Sequence, residues 1–576
     1  MCATHQGLNG ANETMGAMTF ASGPAREPEL MPPPSFARSE QASRLRADLT
    51  EFSSESLDSL LSPLAVAALA REELAPARRE LAADERPLAL LARLFLLGQE
   101  LTAAQVAAAL PQFGLADALA CHLVGQVPSD TSATDAAATD ASATVPTPSV
   151  EPRYHSLVDL SPTGDDTPGA PAWIMSDLPE TVVGGPLPSW HVLGIGGASQ
   201  TLHALLPREA DLGRVLDLGT GSGIQALSLA PYTDAVVATD LSERALAFAR
   251  ANAQLNGVDE TRLEVRAGSL FEPVAGERFD VIASNPPFVI TPAAAYDAGL
   301  PVMEYRDGGM RESGDGLGRR VVSQLGEHLA PGGRAVLLAN WEVTGEEPFA
   351  APLAWVAEAE ARSGVALDAW IVRREFQDAA EYAEMWLRDG GHAVGPDRQL
   401  REATYLAYLE DFASRDVRWI DFGYLLVARP DADLPAGEGM RETTDLTGLA
   451  APSGEDLWRL FARRRRLARA SDDAIAAATI QTSDDVTIEH HYRVGASQPE
   501  VITATQGGGL HQVISCPTEL AGMLSASDGT LTVAQIAGAL AALLEVDETE
   551  MLAACIAHAR RLASIGMVAL NFHAEG

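Results

Sequence analysis

The sequence predicts an α/β fold: a mostly parallel, seven-stranded sheet covered by helices, with a helical module before it and a module of helices and short strands after it. Three observations carry this prediction. Between residues 151 and 430, short β-branched runs alternate with helical ones, as they do where helices connect parallel strands. A glycine-rich turn, Asp217-Leu218-Gly219-Thr220-Gly221-Ser222-Gly223, joins an apolar strand to a helical run. The next strand then ends on an acidic residue, Asp240.

The strand candidates are residues 214–218, 235–239, 262–266, 279–284, 334–340, 368–373 and 421–427. Residues 376–419 are mostly helical and too long for a hairpin, so they read as an insertion between the last two strands. Residues 1–35 are polar, broken by Gly and Pro, and lack the basic start and apolar block of a secretory signal; they read as a disordered leader. Residues 36–127 space leucines and alanines helically, with Asp84-Glu85 opening one segment and a turn at 111–115 breaking another. They read as a small helical module, with a winged-helix-like arrangement as a variant. Residues 128–150 are Ser/Thr/Ala/Asp low complexity, a linker with nothing to bury. A second polar linker, 431–456, leads to residues 457–576. There a turn at Ser527-Asp528-Gly529-Thr530, helices near 533–544 and 548–563 and a strand at 567–572 follow the order of a winged helix. Such modules bind proteins as readily as DNA.

Composition bounds the function. A chain of 576 residues has room for several domains and a large core. Mean hydropathy is +0.02, and no apolar run reaches the ~18 residues of a membrane span, so a cytoplasmic protein with no membrane partner is expected. The four cysteines are far apart, without the Cys-x-x-Cys pairs of zinc or redox centres. All 41 basic residues are arginine, and the lack of lysine excludes Schiff-base chemistry and a P-loop lysine. A net charge of −38 opposes unspecific attraction to phosphate and favours a protein partner. The cluster Arg463 to Arg466 reads as a solvated helix face, with a nucleic-acid contact as the alternative. His490 and His491, adjacent on a strand, point to opposite faces and read as surface residues.

The glycines of the 217–223 turn are needed mechanically: the strand must bend tightly into a helix, and a ligand must lie against the backbone. Asp240, at the end of the second strand, is placed to accept both hydroxyls of a ribose; capping the helix that follows is the other role open to it, shared with Ser242. Gly219, Gly221 and Gly223 recur at every second position, unlike the Gly-x-Gly-x-x-Gly of nicotinamide folds. This turn resembles motif I of the class I S-adenosylmethionine-dependent methyltransferases, and residues 214–427 resemble their seven-stranded, Rossmann-like sheet. The resemblance implies S-adenosyl-L-methionine as cofactor, with Asp217 holding its methionine ammonium directly or through water. Ser269 stands where relatives often place an aspartate against the adenine amino group; a plain Gly268-Ser269 turn is the other reading. Ser199 and Thr201 lie in a segment, 191–202, that closes over the cofactor in relatives.

After the fourth strand comes Asn285-Pro286-Pro287-Phe288. The lone pair of a planar –NH2 nitrogen is delocalised, so the group must be desolvated and aligned before it can attack a methyl. Asn285 can accept one N–H through its side-chain oxygen and the Pro286 carbonyl the other, while the prolines stiffen the backbone and Phe288 stacks on the planar group. No dedicated base is required, because the proton can leave after transfer. An ordinary turn is the bland alternative. The tetrapeptide matches the [Asn/Asp/Ser]-Pro-Pro-[Tyr/Phe/Trp] signature of amino-group methyltransferases acting on adenine, guanine or glutamine amides. Together with Gly314-Asp315-Gly316-Leu317 and Leu329-Ala330-Pro331-Gly332-Gly333, it is most similar to the HemK-type protein-glutamine methyltransferases of peptide-chain release factors, over residues 213–341. That resemblance implies methylation of a protein glutamine side chain, with a release factor as partner. RNA or DNA methylation at an exocyclic amine is the second reading, and a catalytically silent cofactor-binding regulator the third. Glu304-Tyr305-Arg306-Asp307 reads as the substrate mouth or as a loop ion pair.

Overall fold

Each of the seven strand candidates becomes a strand of one sheet, and an eighth strand joins them. The computed structural model describes residues 31–128, 151–165, 167, 169–184, 187–188, 190–292, 295, 314–388, 398–432 and 434–572. Most of the leader, residues 129–150 of the linker, and Glu304 to Asp307 lie outside this set. The strands are β1 (Arg214–Leu218), β2 (Ala235–Asp240), β3 (Leu263–Ala267), β4 (Phe279–Ser284), β5 (Leu329–Val343), β6 (Asp368–Gln377), β7 (Trp419–Ala428) and β8 (Arg441–Asp445). Their order across the sheet is β8-β6-β7-β5-β4-β1-β2-β3. The expected count of seven is therefore corrected to eight. β7 runs antiparallel to β5 and β6, and the remaining neighbours are parallel. β8 belongs to the stretch read as the second linker. Its Arg-Glu-Thr-Thr-Asp has no apolar run because it is an edge strand, paired among the described residues to β6 alone.

This order positions the site. From β1 the chain winds outward through β2 and β3, then returns to lay β4 on the other side of β1. The reversal leaves a crevice at the carboxyl ends of β1 and β4, the switch point where open α/β sheets bind ligands. Both strands are apolar on both faces because helices cover both. Helix α1 (Gly197–Leu205) packs on β5 and on α2 (Ile224–Leu229), while α2 and α3 (Glu243–Asn256) cover the first three strands. The insertion contains α4 (Ala379–Leu387) and α5 (Arg398–Ser414), and α6 (Gly454–Arg469) follows the sheet.

Pro33–Gly576 form one unit, so the outer modules share packing with the sheet. The N-terminal helices bury Leu45, Phe52, Leu90 and Phe95 in a core continuous with Phe248, Ala251 and Leu255 of α3. Arg153–Ser156, beyond the low-complexity linker, sits between Leu101–Thr102 and Val124–Gln126 in a small sheet of that module. At the other end, the segment read as a turn is the strand Asp528–Thr532, which pairs with Thr479–Thr482 and, across it, Val568–Asn571. A second small sheet, Val486–His491 with Val501–Gln506 and Val513–Ser515, lies outside the winged-helix order read from the sequence. Among the described residues no helix is long and apolar enough to cross a membrane.

The arginine cluster corrects the solvated-face reading at Arg464 and leaves Arg466 exposed. Arg464 is buried, pairs with Glu442 of β8 at 2.9 Å, and lies over the Trp370 ring at 4.2 Å. Arg465 and Arg469 donate to the carboxylate of fully buried Asp368 at 2.7 and 2.9 Å, and Arg463 donates to the Val568 carbonyl. Arg466 covers the Phe572 ring. The four arginines and Arg469 thus fasten α6 to the sheet edge and to the last strand. Desolvation pushes the Asp368 carboxyl up, but the Arg469 and Arg465 hydrogen bonds outweigh it and hold the group below its ordinary value. Asp368→Ala leaves two guanidinium groups and the Met440 amide without their acceptor. The expected loss of unfolding free energy is about 2 kcal/mol, reduced from the cost of breaking a fully buried pair because both arginines touch solvent. Chemical denaturation of the two proteins checks it.

Candidate functional site

Motif I is held by its own backbone and by its neighbours. The amides of Gly219 and Thr220 both donate to the Thr239 carbonyl of β2, pulling the turn over the sheet edge. Gly219, Gly221 and Gly223 all have positive φ, but they serve different ends. A Cβ on Gly223 would sit 3.1 Å from the Ala249 Cβ, so this glycine lets the turn pack on α3. A Cβ on Gly219 or Gly221 would meet nothing within 4 Å; those two face open space. Asn252, fully buried on α3, donates to the Ser222 carbonyl and clasps residue 175 on both sides. Sequence reasoning missed it, although an asparagine on an alanine-rich buried helix face is a signal of a structural clasp.

Asp217, at the end of β1, is buried. One carboxylate oxygen accepts from the Thr220 hydroxyl at 2.6 Å and the Ala226 amide at 3.0 Å; the other, Oδ1, is buried with no partner among the described residues. Burial, with a smaller contribution from Asp240, pushes its carboxyl up to about 6. Asp240 accepts from the Gly221 amide at 2.9 Å and the Ser242 amide at 2.8 Å. Ser242 makes the helix-capping bond, to the Ala245 amide. Asp240 therefore ties motif I to the start of α3, and each of its oxygens retains a lone pair for a hydroxyl. Burial raises its carboxyl as well.

Ser269 follows β3 and is half-buried; the Gly268 amide donates to the Asp240 carbonyl, which sets this turn beside the end of β2. The Ser269 carbonyl accepts from Glu272 and opens a short helical turn. The segment around Ser199 and Thr201 is α1. Its Ser199 carbonyl takes a hydrogen bond from Gln225 of α2, and Thr201 spends its hydroxyl proton on the Gly197 carbonyl.

The acceptor motif stands next to motif I. Ser284 pairs with Leu218 in the β4/β1 register, and its hydroxyl donates to the Leu218 carbonyl at 2.8 Å. Asn285, the next residue, has a buried side-chain Oδ1 with no hydrogen-bond partner among the described residues. Pro286 is buried and Phe288 half-buried. Phe288 packs both against the core on the α1 side of the sheet and against an aromatic cluster from the insertion. Asp217, Gly219, Gly221, Asp240 and Asn285 thus meet at the switch point, with Ser269 at its β3 flank. The arrangement offers two unpaired buried oxygen acceptors, Asp217 Oδ1 and Asn285 Oδ1, beside an open glycine turn. Leaving such oxygens unpaired is costly unless a ligand supplies donors.

Residues 193–315 match the family model described as methyltransferase small domain, a span that includes both motifs, so the chain carries a methyltransferase domain. Residues 49–135 match a domain of unknown function (DUF7059). Among named relatives, the release factor glutamine methyltransferase of Geobacter sulfurreducens is 42% identical over 135 residues, covering 22% of this chain and 45% of that protein. The enzyme of the same name from Bordetella pertussis is 40% identical over 147 residues, 24% of this chain and 52% of that one. The ribosomal protein uL3 glutamine methyltransferase of Bradyrhizobium diazoefficiens is 38% identical over 168 residues, 27% and 48%. The chain spans about half the length of each of these relatives.

Proposed function

We propose that the protein transfers a methyl group from S-adenosyl-L-methionine to the side-chain amide nitrogen of a glutamine in a protein, of the release-factor or ribosomal-protein kind. The unpartnered, buried Oδ1 of Asn285 at the switch point carries this reading, because it is an acceptor waiting for an N–H donor. The named relatives, all acting on glutamine, and the net charge of −38 support a protein substrate.

The residues fit the cofactor. Asp217 Oδ1 is a desolvated carboxylate oxygen free to take the methionine ammonium, Asp240 has lone pairs left for ribose hydroxyls, and the open face of Gly219 and Gly221 leaves room for close approach. Ser269 is our candidate for the adenine edge. When bound, S-adenosylmethionine supplies an electrophilic methyl group on a sulfonium. Asn285 Oδ1 and the Pro286 carbonyl accept the two N–H bonds of the substrate amide and so fix the nitrogen's orientation. Phe288 covers the amide plane and excludes water, which would compete for the same hydrogen bonds. Proton loss follows transfer, and the chain needs no base for it.

The test is incubation of the protein with labelled S-adenosylmethionine and a cell extract, with and without nuclease. Label in a nuclease-resistant protein band that yields N-methylglutamine on complete proteolytic digestion, and methylamine on acid hydrolysis, is the expected outcome. Label lost to nuclease would replace this reading by nucleic-acid methylation, and cofactor binding with no label by the silent regulator.

A further inference from the structure

The insertion between β6 and β7 lies against the acceptor motif. Tyr382, on α4, is fully buried, and its hydroxyl accepts a hydrogen bond from the Ile290 amide at 2.9 Å, five residues past Asn285. Around this tyrosine stand Phe412 of α5 at 5.7 Å, Trp386 of α4 at 5.9 Å and Phe422 of β7 at 5.8 Å between ring centroids. Val289 and Ile290 are buried in the same cluster, and Phe288 packs on it. The chain from 288 to 290 has left β4 and pairs with no strand among the described residues, so its backbone needs another partner. The described hydrogen bond for the Ile290 amide comes from outside the methyltransferase small domain match, at residue 382.

We propose that Tyr382 is a positioning residue for the methyl acceptor: through the Ile290 amide and the aromatic cluster, the insertion holds the loop that follows Asn285, and so holds the Asn285 oxygen and Phe288 in place. This deepens the proposed function, on which its kinetic part rests. Rigidity matters there because an acceptor amide displaced by a fraction of an ångström loses its alignment with the methyl group. The aromatic ring fills the cluster and the hydroxyl alone makes the bond, so the two contributions can be separated.

The experiment is Tyr382→Phe in the full chain, which keeps the ring and removes the hydroxyl. Hydrogen–deuterium exchange at the Ile290 amide is expected to rise about tenfold, the opening that one lost hydrogen bond allows. The turnover number for methyl transfer is expected to fall about tenfold, with the KM for S-adenosylmethionine and the Kd for S-adenosylhomocysteine unchanged within about twofold. A purely structural defect would move cofactor binding together with turnover, and that pattern overturns the proposal. So does wild-type exchange at Ile290. If the wild-type protein methylates no glutamine but exchange at Ile290 still rises in the variant, the loop clamp stands and the substrate reading fails. If methylation occurs and neither exchange nor turnover responds, the clamp fails and the substrate reading stands.

Discussion

Asn285→Ala is expected to lower methyl transfer about a hundredfold to a thousandfold while leaving the Kd for S-adenosylhomocysteine within about twofold of wild type. The separation follows from where the side chain sits. Its Oδ1 is buried and has no hydrogen-bond partner among the described residues, and it follows directly on Ser284, which is locked to β1 by the bond to the Leu218 carbonyl. Among the described residues the hydrogen bonds that hold the motif I turn come from Thr239, Asp240 and Asn252, and none of them involves Asn285. Removing the oxygen deletes an acceptor that the substrate amide needs for orientation, and this is lost chiefly in the transition state, where the nitrogen's lone pair must be directed at the methyl group. Asn285→Asp keeps an acceptor oxygen but adds a buried charge, and an intermediate rate is expected from it. Single-turnover transfer and calorimetric titration with S-adenosylhomocysteine measure both halves. Loss of binding in step with loss of rate would mean that Asn285 supports the cofactor pocket instead.

The sheet was readable because its central strands are buried on both faces and are continuous apolar runs, while the edge strand β3 still carries leucine and valine at alternate positions; the seven candidates for the sheet lie within the observed strands or one residue off. What escaped had no such signal. β8 is polar because it is an edge, and β5 begins at Leu329, five residues before the candidate run, through Pro331-Gly332-Gly333, which carries no strand signal. Of the candidate site, the residues that gather at the switch point were legible where chemistry constrains the residue type, at Asp217, at the glycines and at Asn285. It was not readable where a residue acts through a distant partner. Tyr382 lies 92 positions beyond Ile290, and nothing local marks a buried tyrosine as the support of another segment's backbone. The arginine cluster misled for the same reason. Its partners Asp368 and Glu442 lie on β6 and β8, so a row of charges that looks solvated along the helix is paired across the fold.

Asp217→Asn is expected to weaken S-adenosylhomocysteine binding about thirtyfold to a hundredfold and, in the same protein, to raise the unfolding temperature of the ligand-free form at pH 7 to 8. The first effect is the loss of a charge-assisted hydrogen bond to the ligand's ammonium, worth about 2–3 kcal/mol. The second comes from burial. The Asp217 carboxyl titrates near 6 in the folded protein, above the 3.8 of an ordinary aspartate, because burial penalises its charge. A folded-state value raised in this way contributes stability that is complete below about pH 4 and is lost as the pH rises through about 6. At pH 7 the ionised, half-paired carboxylate therefore costs the ligand-free fold about 3 kcal/mol relative to its neutral form. Asparagine keeps the acceptor for the Thr220 hydroxyl and the Ala226 amide without the charge. The stability gain should fade as the pH falls toward 4, where the wild-type group is itself neutral. Binding shows the opposite trend: wild-type affinity should fall as the pH drops below about 6, since the carboxyl must lose its proton to meet the ammonium, whereas the Asp217→Asn affinity should not follow that curve. Thermal melts and calorimetric titrations from pH 5 to 8 test this. A variant that loses affinity without gaining thermal stability at pH 7 would place the Asp217 charge in a solvated setting, and equal pH curves for both proteins would remove it from the ammonium site.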